Sequence, residues 1–273
     1  MDRPARSYRR VLTIAGSDSG GGAGIQADLK TIAALGCYGA SAITALTAQN
    51  TTGVRAIHPV PPAFTAAQID AVLEDIGADA VKIGMLYSSE LIRTVAERLR
   101  RWGARHIVLD PVMVAQSGDR LLREEAVEAL KEELIPLADV ITPNLPEAEV
   151  LLGRLLGGAA EMEEALPDLG RLGSRAVLLK GGHLEGAEST DLLYLPQDGR
   201  TVAFSSPRLA TRNTHGTGCT LSAAVAAGLA KGRPLLEAVR EAKAYLEAAL
   251  RAGADYALGR GHGPVHHFHR FWE

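Results

Sequence analysis

The chain has 273 residues, 47% of them hydrophobic, with 29 Lys and Arg against 32 Asp and Glu and a formal net charge of −3. That length allows one large α/β domain or two small ones, and the apolar content suits a globular protein with a sizeable core. The charge balance leaves no nucleic-acid footprint, no apolar run reaches membrane-spanning length, and the opening MDRPARSYRR lacks an apolar signal core.

Residues 10–15 (RVLTIA) read as a short buried strand and 16–24 (GSDSGGGAG) as a loop. Over 25–35 the spacing is helical, with Ile25, Leu29, Ile32 and Leu35 on one face and Gly36 as the stop. Residues 40–46 are strand-like, Pro61-Pro62 punctuates before a helix over 65–76, and 80–83 is again a strand. A helix over 89–102 leads to a strand over 106–109 that ends at Asp110-Pro111. A helix over 124–134 leads to a strand over 140–142 and then Pro143-Asn144. Helical patterns near 147–152 and 161–172 precede a strand over 176–180. Residues 191–195 and 201–204 lack a helix between them and are expected to pair antiparallel at one edge; helices over 217–230 and 234–257 close the chain. Alternation of this kind calls for a mainly parallel sheet with helices on both faces and right-handed crossovers. With no repeat, linker or composition break, residues 1–273 are expected to form one domain, with 1–9 a flexible, solvated basic arm. Cys37 and Cys219, far apart in sequence, suggest a reducing compartment, and the expected location is the cytoplasm.

Ligands of such sheets bind beyond the carboxyl ends of the strands. Just there stand Gly16-Ser17-Asp18, Gln49-Asn50, Gly84-Met85, Asp110-Pro111, Asn144 with Glu147, and Lys180-Gly181-Gly182. They should converge with the stretch RNTHGTGCT over 212–220, a glycine-punctuated turn opening onto a helix. Gly216 and Gly218 permit unusual torsions and close ligand approach, and successive N–H groups at a helix start form an anion site. Thr217 adds a hydroxyl, and Cys219 falls in the first turn, where a thiol pKa tends to be lowered. The plainer alternative is a helix start capped by Thr217.

The run from Gly22 to Ala27 fits the loose G-x-G-x-x-A dinucleotide form, but residues 40–50 hold no acidic partner for a ribose. There is no G-x-x-x-x-G-K-[ST], so any nucleoside triphosphate must be held by the turn at Gly216 to Gly218. A hard divalent cation takes one or two carboxylates plus phosphate and water, and Asp110 and Glu147 are placed for that; Glu147 is equally a helix first-turn carboxylate. Lys180, ending an apolar strand, is expected to face an anion. Gln49 offers a donor and an acceptor that suit an aminopyrimidine edge or, equally, a cap. Cys37 reads as a small buried apolar residue, and Met85 and Val112 as pocket walls or core. His262, His266, His267 and His269 match no zinc spacing.

The ordered motifs AGSDSGGGAGIQADLKT, ITALTAQNT, KIGML, DPVM-x-x-x-SGD, ITPNLPEAE, LLKGGH and NTHGTGCTLSAA, with the ending GHGPVHHFHRFW, resemble the hydroxymethylpyrimidine/phosphomethylpyrimidine kinases of thiamine biosynthesis over about residues 11–272. The resemblance implies a ribokinase-like three-layer α/β/α sandwich with a mainly parallel sheet and a small antiparallel edge or flap, usually a homodimer. It implies transfer of the γ-phosphoryl of Mg-ATP to 4-amino-5-hydroxymethyl-2-methylpyrimidine, then from a second ATP to that monophosphate. By position, Gln49 would read the pyrimidine edge with Gly16, Asp28, Met85 and Val112. Asp110, Asn144 and Glu147 would organise Mg²⁺ and phosphates, Lys180 would sit near the nucleotide, and Gly216-Thr217-Gly218 would be the anion hole. Sugar kinases of the superfamily carry an aspartate base where this chain has Cys219. A thiolate there could take the hydroxymethyl proton, but a loose transition state makes Cys219 an assistant to positioning and charge neutralisation. The competing expectations are a pyridoxal kinase of the same superfamily, which stops after one phosphorylation, and a non-catalytic pyrimidine-binding regulator, which would have lost the acidic residues or the anion turn.

Overall fold

Short strands whose side chains alternate between two apolar faces need helices on both sides. The computed structural model, which describes residues 7–113, 122, 125–182 and 186–272, meets that need with one nine-stranded sheet. In chain order the elements are β1 (Arg10–Asp18), α1 (Gly24–Ala34), β2 (Tyr38–Asn50), β3 (Gly53–Pro59), α2 (Pro62–Asp75), β4 (Ala80–Ile83), α3 (Ser89–Arg101), β5 (Ile107–Leu109) and α4 (Ala126–Ala129). There follow β6 (Val140–Ile141), α5 (Leu145–Leu152), α6 (Ala159–Glu164), α7 (Leu166–Gly170), β7 (Val177–Leu179), β8 (Glu188–Leu195), β9 (Arg200–Pro207), α8 (Thr217–Ala230) and α9 (Leu235–Gly253). The strand order is β3-β2-β1-β4-β5-β6-β7-β8-β9. The strands from β2 to β7 run parallel. Antiparallel β3 closes one edge, and the β8–β9 hairpin closes the other.

Leu12, Ile14, Val81, Ile83, Ile107 and Leu109 point to one side, against Ile69 of α2 and Leu91, Ile92 and Val95 of α3. Val11, Ala80, Val108, Val140 and Leu178 point to the other, against Ile32 of α1, the alanines of α8, and Ala238, Val239 and Tyr245 of α9. This is the expected three-layer α/β/α sandwich. Helix α8 is built of small residues because it is buried throughout from Thr220 to Ala230. A Cβ at Gly228 would lie 2.8 Å from that of Ala238, so glycine there lets α9 approach closely.

Some elements differ from expectation. Strand β3 (GVRAIHP) lies on an open edge with Arg55, Ala56, His58 and Pro59 exposed, and so carries little apolar pattern. The helix predicted over 124–134 is α-helical only at Ala126–Ala129, then widens to a π turn over Leu130–Leu134 and tightens over Ile135–Leu137. Pro136 has no N–H with which to continue a regular helix there. The helix predicted over 161–172 is split into α6 and α7, with Pro167 in the first turn of the second. The last helix stops at Gly253 rather than 257, because the tail folds back over its end. There the Asn213 amide donates to the carbonyls of Gly253 and Tyr256 at 2.7 Å each. Further along, the tail touches both ends of the sheet's carboxyl edge: His215 N donates to Gly263 O, and His262 N donates to Thr51 O, both at 3.0 Å. Of the expected basic arm, residues 1–6 lie outside the described residues. Residues 8 and 9 dock on β2, with Arg9 O accepting from Tyr38 N at 2.8 Å and the rings of Tyr8 and Tyr38 5.8 Å apart. No helix among the described residues is long and apolar enough to cross a membrane.

Candidate active site

The carboxyl ends of the parallel strands and the start of α8 enclose a cavity of about 710 Å³. Every residue to which the resemblance gives a role lines it except Asp28; of the residues expected at the strand ends, Asn50, Gly84, Pro111 and Gly181 do not. The Ser117-Gly118-Asp119 and His183 portions of the motifs lie outside the described residues.

The loop after β1 is organised by Asp18. Its Oδ1 accepts from Gly20 N (2.8 Å) and its Oδ2 from Gly22 N (3.0 Å), Ala23 N (2.8 Å) and His215 Nε2 (2.9 Å). Burial opposes ionisation of this carboxyl, but the His215 bond and the amides of Ala23 and Gly20 hold it below its ordinary range. The amides a dinucleotide pyrophosphate would need are therefore taken, which removes the G-x-G-x-x-A reading.

The turn before α8 lies against that loop. Gly216 has φ +80°, and a Cβ there would sit 1.9 Å from Gly22 O, so glycine is required twice over. Gly216 is the N-cap and no side chain caps the helix, so Thr217 is not the cap that the plainer reading assigned. Thr217, Gly218 and Cys219 of the first turn of α8 line the cavity, with the Thr217 amide donating to Thr214 O at 3.3 Å. A Cβ at Gly218 would lie 3.3 Å from Lys180 Nζ and 3.6 Å from Asp110 Oδ2, which places both charges over the helix start.

Lys180 Nζ donates to Asp110 Oδ1 at 2.9 Å and lies 3.9 Å from Glu147 Oε2. The anion expected opposite Lys180 thus includes the protein's own carboxylates. Burial disfavours the Asp110 carboxylate, yet Lys180 and Lys82, with hydrogen bonds from Lys180 and Thr142, hold its pKa down. For Glu147, burial wins: with Asp110 nearby, it rises to about 7 against the pull of Lys180 and the amides of Asn144 and Met113. Glu147 also closes a capping box, its Oε2 accepting from Asn144 N (2.8 Å) while Asn144 Oδ1 accepts from Glu147 N (2.9 Å). The first-turn reading of Glu147 holds, and the same residue lines the cavity. No group of three or more His, Cys, Asp or Glu side chains that could hold a metal is found among the described residues. His267 Nε2 pairs with the Thr220 hydroxyl at 3.1 Å, and burial pushes it down to about 3.

Across the cavity, Ala45 and Met85 form a small apolar cluster with Val54, Ile57, Tyr87 and Val112. A Cβ at Gly16 would lie 2.9 Å from Met85 Sδ, so glycine lets the thioether pack against the end of β1, and Gly16, Met85 and Val112 wall a slot of the cavity. Gln49 closes the slot, its Oε1 accepting from Thr47 Oγ1 at 3.1 Å, which leaves the amide nitrogen to donate.

Two expectations fail. Asp28 is fully buried and does not line the slot; its Oδ2 accepts from Lys82 Nζ (2.9 Å) and Thr13 Oγ1 (2.6 Å). Cys219 is not a low-pKa thiol. Burial pushes it up to about 11, and Asp28 and Asp110 push the same way, while Lys82 and a hydrogen bond from Gly24 N pull down. The helix start alone would lower it; the closed, carboxylate-lined surroundings outweigh that. The sequence reading missed Lys82, a charge within the apolar run AVKI, and the role of Asp18 and His215 in fastening the two glycine loops together.

The family profile described as phosphomethylpyrimidine kinase matches residues 18–266. A hydroxymethylpyrimidine/phosphomethylpyrimidine kinase of Rhizobium meliloti is 60% identical over 265 residues, 96% of this chain and 98% of that protein. The crystal structure of a phosphomethylpyrimidine kinase from Clostridium difficile is 45% identical with TM-score 0.78, over 88% of this chain and 99% of that one. An ADP complex of Bacillus subtilis pyridoxal kinase is 39% identical with TM-score 0.88, over 96% of this chain and 98% of that one.

Asp18→Asn removes the ionised acceptor of three loop amides and His215, and at neutral pH it is expected to cost about 1–3 kcal/mol. The folded carboxyl titrates below its unfolded value of about 3.9, so its contribution is complete above that value and is lost as pH falls through the folded one. Urea unfolding of both proteins from neutral pH downward should show the gap narrowing below about pH 4.

Proposed function

The chain belongs to the phosphomethylpyrimidine kinase family, and from that membership we propose how its residues perform the family's chemistry. The enzyme uses ATP to phosphorylate 4-amino-5-hydroxymethyl-2-methylpyrimidine to its monophosphate and then to the diphosphate, for thiamine biosynthesis. The observation that carries the assignment of roles is the pairing, within one cavity, of a flat slot at Gly16, Met85, Val112 and Gln49 with an amide-lined helix start overhung by Lys180, Asp110 and Glu147.

The pyrimidine lies in the slot with its ring against Met85 and Val112, and the Gln49 amide nitrogen donates to a ring nitrogen. The nucleotide's terminal phosphate rests on the amides of Gly216, Thr217 and Gly218, beside Lys180 and Asn144. The alcohol oxygen forms the new bond to the γ-phosphorus as the bond to the ADP bridging oxygen breaks. Asp110 and Glu147 are a hard-oxygen pair that fits a cation completing its shell with phosphate and water, and Mg²⁺ held there would neutralise phosphate charge. Because the Cys219 thiol titrates near 11, it is protonated at neutral pH and holds the alcohol oxygen by hydrogen bonding. The alcohol proton passes to a γ-phosphoryl oxygen ahead of the new bond, which leaves the accepting oxygen negative as it meets the phosphorus. In the second step the nucleophile is an ionised phosphate oxygen and needs no such help. We further propose that one domain spanning the chain carries this chemistry, in the cytoplasm, where the free thiols of Cys37 and Cys219 stay reduced. Assembly as a homodimer is supported by the open edge at β3, with Leu46 and Phe64 exposed near it in the chain.

A product assay with ATP and hydroxymethylpyrimidine is expected to give monophosphate and then diphosphate, with two ADP per pyrimidine; a reaction that stops at monophosphate, or that prefers pyridoxal, overturns the reading. Cys219→Ala is expected to slow the alcohol step by about tenfold and the monophosphate step by less than about threefold, whereas equal losses would leave the thiol a packing role. Glu147, titrating at about 7, is neutral below that pH and ionised above it. The Mg²⁺ concentration for half-maximal rate is therefore expected to fall about tenfold per pH unit up to about pH 7 and then level off, and Glu147→Gln should flatten the dependence.

A further inference from the structure

Strand β4 (AVKI) carries a single charge among buried apolar residues. Lys82 shares a face with Ala80, toward α1 and α8, and its side chain is 0% exposed, as is that of its partner Asp28. The ammonium bonds Asp28 Oδ2 at 2.9 Å, and the Thr13 hydroxyl bonds the same oxygen at 2.6 Å. The other oxygen, Asp28 Oδ1, is buried with no hydrogen-bond partner. A pair kept for stability alone is poorly explained by this geometry, since buried ion pairs are often no better than apolar residues of the same volume, and an unsatisfied oxygen makes matters worse.

The place of the ammonium gives it another use. Lys82 reaches the floor of the active-site cavity even though its strand is covered. A Cβ at Gly84 would lie 2.8 Å from Lys82 Nζ, so the glycine lets the ammonium lie against the backbone just before Met85, at the wall of the slot. On its other side Lys82 acts on Cys219 and Asp110 through its charge. The ammonium thus stands between the slot that takes the pyrimidine and the helix start that takes the phosphate. It has three donors, and Asp28 accounts for one.

We propose that Lys82 is a further catalytic residue of both phosphoryl transfers, a fixed cation that stabilises the negative charge on the accepting oxygen of the pyrimidine substrate, with Asp28 and Thr13 as its positioning residues. The inference rests on the reading of the slot as the pyrimidine site. Lys82 passes no proton. It bears on the oxygen that bonds the γ-phosphorus as the bond to ADP breaks, and a preorganised charge at that point costs no reorganisation. It serves the neutral alcohol only as charge develops, but meets the charge of the monophosphate already in the bound state.

The test removes both charges together, because Lys82 or Asp28 alone would leave a lone buried charge. In Lys82→Met/Asp28→Leu the fold, followed by circular dichroism and melting, is expected to persist. With the alcohol, kcat should fall on the order of 100-fold with KM within about twofold. With the monophosphate, KM should also rise about tenfold, a split that lost packing would not produce. Retention of kcat within about threefold on both substrates overturns the proposal. Should that variant fail to fold, the wild-type enzyme decides: with ADP, aluminium fluoride and hydroxymethylpyrimidine bound, Lys82 Nζ is expected about 3 Å from the hydroxymethyl oxygen. Contact with Asp28 alone would sink it. Failure of the wild type to phosphorylate the pyrimidine at all would instead refute the underlying function, so the two failures are told apart.

Discussion

The active site depends on one close contact, that of the turn before α8 with the loop after β1. Gly216 can lie against the Gly22 carbonyl only because it has no side chain, and His215 reaches across to the carboxylate that already gathers the loop amides. Together these fix two helix starts with respect to one another. The first residue of α1, Gly24, then donates to the Cys219 sulfur, and the first turn of α8 faces the cavity instead of the protein. Backbone amides presented in this way bind anions without any charged side chain at the turn itself.

Around that contact the sheet delivers charge at measured places. Parallel strands bring one residue each to the carboxyl edge: Asp110 after β5, Asn144 after β6, Lys180 after β7. Lys180 joins Asp110 and Glu147, while Lys82 joins Asp28 one layer deeper. Each lysine is pinned by a carboxylate, so neither collapses onto the amides of α8. The arrangement holds positive charge beside the start of α8, where the proposed phosphate site lies, with both lysines paired. It also explains why Cys219 stays protonated, since it is partly buried and carboxylates lie on more than one side of it.

Much of this was readable from residue order. The strand–helix alternation gave the layers, and the regular recurrence of polar residues after strands gave the edge on which the site lies. Strand β3 was hidden because an exposed edge strand has little apolar pattern, and the early end of α4 because periodicity does not register a backbone that widens ahead of Pro136. Asp28 was misplaced because family position says that a residue matters, not whether it touches ligand or acts from beneath through Lys82. The thiol of Cys219 shows the same limit. Its place in a first turn argues for a lower pKa, but the outcome is set by burial and by Asp28 and Asp110, which are distant in sequence. Lys82 did leave a signal: a lysine inside a four-residue buried parallel strand has nowhere to go but along the sheet toward its carboxyl edge.

The tail that folds back over α9 ties distant parts of this edge together. His262 and Gly261 are fastened to Thr51, at the tip between β2 and β3, and Gly263 to His215, in the turn before α8. A Cβ at Gly261 or Gly263 would strike Thr51 O or Asn213 Oδ1, so the strap lies flat on both. For anyone engineering the protein, the last stretch of chain is working architecture rather than a convenient handle. Tags and fusion partners belong at the other end, or beyond a spacer that leaves this clasp shut.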